Sequence, residues 1–207
     1  MSLFIETICY RNGIFERLPY HQQRLNYTMG QFFHNMVKPE LSVVLNSVMQ
    51  DEKMQQRVFI PGEKYKCRIV YGETIKEVSC LQYRKRNITK LILKEAGDLD
   101  YSYKFYNRRS LDNLRSTLKS NSEILLIQNG LIKDTSFSNV IFYNGKQWIT
   151  PSQPLLKGTM RQYLLEKEQI YEADIRPEDL RYFSKLRLIN AMNSFEEAPE
   201  LSISQVE

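Results

Sequence analysis

Residues 3–10, LFIETICY, alternate apolar and polar positions and are rich in β-formers, the pattern of a half-buried strand. Asn12-Gly13 follows, a dipeptide suited to a tight hairpin turn, and residues 14–18 read as the returning strand. From Tyr20 the apolar spacing changes to threes and fours through His21, Arg24, Leu25 and Met29, predicting a helix. A second helix is expected after Pro39 as far as about Met49, since proline suits a first helical turn. Residues 64–72 and 74–83 predict two further strands. The pattern breaks at residues 96–100, and a boundary there would separate a small α+β lobe, 1–96, from a larger strand-rich lobe, 97–207. The second lobe opens on DYSYKFYNRR, read as a strand with Tyr101, Tyr103 and Phe105 on one face and Ser102, Lys104 and Tyr106 on the other. A helix over 111–118 is expected next. Short strands punctuated by Asn129-Gly130 and Asn144-Gly145 follow it, then a helix in LLKGTMRQYLLE, a turn at Arg176-Pro177 with a short helix after it, and a strand over 185–190. Thr159 and Gln162, three apart at that helix start, have the spacing of a capping box.

Composition narrows the classes. The chain has 207 residues, 42% hydrophobic and 26% charged, which is ordinary for a globular protein with a sizeable core. Its net charge of +5 is spread among acids instead of forming a long basic run, which argues for anionic small-molecule ligands over nucleic acid. The densest basic cluster, Arg84-Lys85-Arg86, reads as a solvated loop. Cys9, Cys67 and Cys80 form no CxxC pair, and buried or idle thiols in a reducing compartment are expected. With only His21 and His34 besides, no familiar zinc spacing can be assembled. No apolar run approaches the roughly 20 residues that cross a bilayer, so no membrane role is expected and the protein is read as cytoplasmic. Neither a GxGxxG nor a GxxxxGK[ST] loop occurs.

Several residues could carry chemistry. Lys104 sits among aromatics that could strip its amine of water and favour imine chemistry, although its stem could equally lie along the rings with its head in solvent. Asp134 and Asn139, five apart, could do no more than fix a turn. The glycine before Thr159 would let a phosphate approach backbone amides at a helix start, or simply open a capped helix.

Taken in order, HQQRL (21–25), Lys104 with Asn107 and Arg108, DTSFSN (134–139), ITP (149–151) and LLKGTMR (155–161) resemble the signature of the fold-type IV pyridoxal-phosphate enzymes, the class IV aminotransferase family. The resemblance covers nearly the whole chain. It implies a two-lobed α+β fold like that of D-amino acid aminotransferase, with the N-terminal lobe trimmed, and a homodimer. It implies covalent attachment of pyridoxal phosphate at Lys104 and a phosphate seat at Arg24 and the amides of Thr159 and Met160. Asp134 would pair with the pyridine nitrogen, where relatives usually have a glutamate one methylene longer, and Asn139 would belong to the same cofactor site. Three details are similar to the aminodeoxychorismate lyases of folate synthesis: the G-x-M-R pattern at 158–161, the K-x-x-N-R pattern at 104–108, and Thr7, aligned with a proton-relaying threonine near the lysine. For the dicarboxylate substrate of such a lyase, Lys66 and Arg68, two apart and so on one strand face, and Arg108 or Arg109 are the candidate partners. A branched-chain or D-amino-acid transaminase, and a degenerate non-catalytic relative, stay open as alternatives, and Thr7 could be a strand residue only.

Overall fold

The computed structural model describes residues 2–51, 56 and 59–207. Two compact units result, one of Met1–Arg84 with Tyr103–Asn107 and the other of Lys85–Ser102 with Arg108–Glu207. The division thus falls at 84/85, where the sequence reading put it at 96/97, and the segment bearing Lys104 packs with the first unit, where that reading had given it to the second.

In the first unit β1 (Phe4–Arg11), β2 (Ile14–Phe15), β3 (Tyr65–Tyr71) and β4 (Ile75–Gln82) form an antiparallel sheet in the order β2-β1-β3-β4. Asn12 and Gly13 both have positive φ, 52° and 81°, as a tight hairpin turn with the strand twist requires. The returning strand is shorter than its sequence suggests because Arg17 adopts φ 54°, which swings the chain into α1 (Leu18–Phe32) with Pro19 in the first turn. α2 is Leu41–Met49. The period-two pattern of β1 sends Phe4 and Ile8 into a core with Leu25 and Met29 of α1 and Cys67 and Ile69 of β3. Cys67 and Cys80 are directly opposed on β3 and β4 and joined by a disulfide, so the expectation of idle thiols holds only for Cys9, which is free and buried.

Residues 103–107 do not form the expected strand. Tyr103 and Phe105 turn into the first unit's aromatic core, with ring centroids 4.8 Å from Phe32 to Tyr103 and 5.1 Å from Phe4 to Phe105. The backbone closes a tight turn from Phe105 N–H to the Tyr103 carbonyl, 2.9 Å, and pairs with β1 on both sides of Phe4. Partial burial of these two rings against the core, on the order of 1–3 kcal/mol of apolar surface, outweighs local strand preference.

The second unit holds two sheets. β5 (Lys90–Glu95), β6 (Ser122–Gln128) and β7 (Leu131–Thr135) form one, with β5 and β6 parallel. The other has the order β10-β9-β8-β11-β12, comprising β8 (Asn139–Tyr143), β9 (Trp148–Pro151), β10 (Tyr171–Ala173), β11 (Lys185–Ile189) and β12 (Glu200–Ser202). α3 (Arg109–Arg115) precedes β6, and α4 (Thr159–Glu166) is the crossover that lets β9 and β10 run parallel. A 3₁₀ turn, Pro177–Tyr182, precedes β11. Strands β5, β10 and β12 lack a clear alternation and escape the sequence pattern. Arg86 is not simply a solvated loop residue: it lies 3.4 Å from the buried Glu123, which Arg115 also pairs at 2.9 Å, and its guanidinium covers the Phe137 ring. Two arginines around one carboxylate make its complete burial tolerable.

Candidate functional site

The sheet of the first unit has two chemically different faces. Thr7 of β1 lies directly opposite Arg68 of β3, so both side chains leave on one face, and the Arg68 guanidinium stacks over the Tyr106 ring at 5.0 Å. Tyr106 is two residues from Lys104, whose carbonyl accepts from the Ile5 N–H at 3.0 Å. The structure thus ties the Lys104 backbone to the strand of Thr7 and gathers Thr7, Arg68 and Tyr106. Lys66 shares that strand face but is exposed, opposite Cys9.

Arg24 belongs to the other face. Its Nε donates to Glu6 Oε1 at 2.8 Å and its Nη2 to Glu6 Oε2 at 2.6 Å, and His21 Nδ1 lies 2.6 Å from that same Oε2. Glu6 and His21 are wholly buried. Burial alone would raise the Glu6 carboxyl, but the Arg24 charge and the hydrogen bonds from Arg24 and His21 win and bring it down to about 2. Burial lowers His21 and keeps it neutral, so its Nδ1–H donates to the carboxylate. The sequence pattern had given neither Glu6 nor His21 a role. The signal available was His21 and Arg24 at i and i+3, one helix face, with an acid between Phe4 and Ile8 on the same strand face.

In the second unit Asp134 is the penultimate residue of β7 and Asn139 begins β8. The loop between them is fixed by Thr135, whose Oγ1 accepts from Ser138 N–H at 2.9 Å and donates to the Ser138 carbonyl at 3.0 Å. Asn139 Nδ2 bridges Asp134 Oδ1 at 2.7 Å and the Leu156 carbonyl at 2.8 Å, and the Leu156 N–H donates to Asp134 Oδ2 at 2.9 Å. Desolvation dominates at Asp134 and raises its carboxyl to about 6, against the opposing bonds from Leu156 and Asn139 and the charge of Arg161. Arg161 itself is buried, donates to the Pro151 carbonyl at 2.8 Å and pairs with Glu172.

The same network reaches the start of α4. The expected capping box is absent: Gly158 is the N-cap, Thr159 the first helical residue, no side chain caps the helix, and Gln162 bonds Glu166 instead. Gly158 has ordinary φ, −72°, so its need for glycine is spatial; a Cβ there would meet Asn139 Oδ1 at 2.0 Å. Carboxylate, amide and helix start therefore form one rigid piece. Arg108 caps α3 and donates to the Ser136 carbonyl at 2.6 Å, while Arg109 is exposed on the helix's first turn.

Each unit by itself offers groups that suit pyridoxal phosphate: the first has a lysine next to aromatic residues, and the second has a buried carboxylate suited to a protonated ring nitrogen and a helix start with no side-chain cap for an anion. Among the described residues no group of three or more His, Cys, Asp or Glu could hold a metal ion, and no described helix is long and apolar enough to cross a membrane. The chain has the mixed α/β fold of the fold-type IV pyridoxal-phosphate enzymes. The family model for amino-transferase class IV matches residues 3–195, and the chain belongs to that family. An uncharacterized protein of Haemophilus influenzae is 31% identical over 193 residues, 93% of this chain and 99% of that one. A crystal structure from Haemophilus somnus, described as a "putative 4-amino-4-deoxychorismate lyase", is 31% identical with TM-score 0.82 and covers 94% of this chain and 98% of its own. A Mycobacterium tuberculosis structure, described as a hypothetical aminotransferase in a PLP-bound form, has the same fold at 16% identity, TM-score 0.74, covering 100% of this chain and 81% of its own.

Proposed function

We propose that this protein is a pyridoxal-phosphate-dependent 4-amino-4-deoxychorismate lyase, releasing pyruvate and forming 4-aminobenzoate. The observation that carries the reading is the buried Asp134–Asn139–Leu156 network, which holds a desolvated carboxylate rigidly against the start of α4. A carboxylate whose burial is not fully repaid by its own hydrogen bonds is suited to a cationic partner such as a pyridinium nitrogen. When bound, the cofactor supplies an electron-accepting ring. Lys104 would carry it, and once the substrate amine has displaced the lysine its freed amine would be the base that takes the proton whose loss makes the product aromatic. Arg24 and the backbone amides of Thr159 and Met160 hold the phosphate. Asp134 keeps a proton on the ring nitrogen, with Asn139 orienting its carboxylate. Thr7 Oγ1 donates to the leaving enolpyruvate oxygen. Arg68, fixed over Tyr106 on the face of Thr7, is the best placed partner for a substrate carboxylate; Lys66, Arg108 and Arg109 are the further cationic candidates. The protein works as a homodimer in this reading.

The lyase name borne by the Haemophilus somnus structure supports this choice within a family that also contains transaminases. Pyruvate release from aminodeoxychorismate without any added keto acid is the test. Thr7→Val, which keeps shape and removes the hydroxyl, should lower that rate about 10²-fold or more while cofactor absorbance persists. Amino-group exchange with a keto acid and no pyruvate would make the protein a transaminase instead.

A further inference from the structure

We propose that Glu6 is a positioning residue that fixes the Arg24 guanidinium for an anionic ligand, with His21 holding the carboxylate in place. The proposal rests on the reading of Arg24 as a phosphate-binding residue. Position 6 lies on the α1 side of β1, between the fully buried Phe4 and Ile8, where packing alone would be served by an apolar side chain. A carboxylate there loses its water, and its attraction to an arginine roughly offsets that cost, so an ion pair at such a site gains little stability over a well-packed hydrocarbon. What it does gain is geometry. Two parallel contacts, from Nε at 2.8 Å and Nη2 at 2.6 Å, fix the plane of the guanidinium, which a single contact would leave free to rotate. The His21 contact at 2.6 Å stops the carboxylate from rotating in turn. All three side chains come from two elements held by the first unit's core, His21 and Arg24 one turn apart on α1 and Glu6 on β1. The Arg24 side chain keeps 13% exposure while its partner has none.

The test compares binding of pyridoxal phosphate with that of pyridoxal, which lacks the phosphate, to cofactor-free full-length protein by absorbance titration. A purely structural loss at Glu6 would weaken both ligands alike; loss of positioning weakens only the phosphorylated one. Glu6→Gln should lower the preference for pyridoxal phosphate over pyridoxal by about tenfold, the low end of a misaligned charge-assisted contact. Glu6→Asp, which keeps the charge but withdraws it by a methylene, should do the same and serves if the glutamine variant does not fold. The parent's preference in both variants overturns the proposal. Arg24→Ala in the Glu6→Gln background separates the two levels of argument. If that double variant loses the preference while Glu6→Gln alone keeps it, Arg24 holds the phosphate and needs no help from Glu6; if the double variant also keeps it, Arg24 does not hold the phosphate at all.

Discussion

Asp134 makes the stability of the cofactor-free protein fall as pH rises. Its carboxyl titrates at about 6 in the folded chain against 3.8 ordinarily, chiefly because it is buried. Each tenfold change in proton affinity corresponds to about 1.4 kcal/mol, so ionising Asp134 in place costs about 3 kcal/mol more than ionising it in the unfolded chain. The folded state holds the proton more firmly. Stability from this group is therefore greatest below about pH 4, declines as pH climbs towards 6, and stays low above it. Asp134→Asn removes the titration but not every cost: the amide can accept from only one of Asn139 and Leu156, leaving a donor facing a donor at a penalty of about 1–3 kcal/mol that does not vary with pH. The informative quantity is thus the pH dependence of the difference between parent and variant, measured by urea unfolding from pH 4 to 8. Parent stability should drop relative to the variant by about 3 kcal/mol across that range, and saturating pyridoxal phosphate should abolish the drop by giving the carboxylate a cation. A difference independent of pH without cofactor would refute the argument that burial dominates at this carboxyl.

Borohydride reduction of the cofactor-loaded protein, followed by peptide mapping, should find the pyridoxyl group on Lys104; a label on another lysine would move the site. Gly158→Ala drives a methyl into Asn139, which two hydrogen bonds prevent from yielding, and should cost about 1–3 kcal/mol in unfolding free energy and weaken cofactor binding. Unchanged stability would mean that Asn139 has another place to go. At Glu6 the sign is opposite to that at Asp134: the carboxyl is lowered from 4.5 to about 2, so about 3 kcal/mol of stability present above pH 4.5 is lost as pH falls towards 2. Acid unfolding of Glu6→Gln should lack that limb.

The order of the motifs, the helices after Tyr20 and Pro39, and the Asn-Gly hairpins are local properties, and the sequence determined them through spacing and turn chemistry. Periodicity also established that Lys66 and Arg68 share a face. It could not say which of them meets another side chain; only the position of residues 103–107 against β1 sets Tyr106 beneath Arg68 and leaves Lys66 exposed. The same segment read locally as a strand of the second lobe, but its rings found Phe4 and Phe32, far away along the chain, a preference that no window of sequence contains. Glu6 was one acid on an otherwise apolar strand face until the packing of β1 on α1 brought it to His21 and Arg24. At the start of α4 the Thr159 and Gln162 spacing promised a cap, but Gly158 is the N-cap, and what requires glycine there is Asn139, brought beside it by β8. Periods and caps are energies of neighbours along the chain, whereas a buried charge or a filled space depends on what distant strands bring to it, and there the tertiary structure decides.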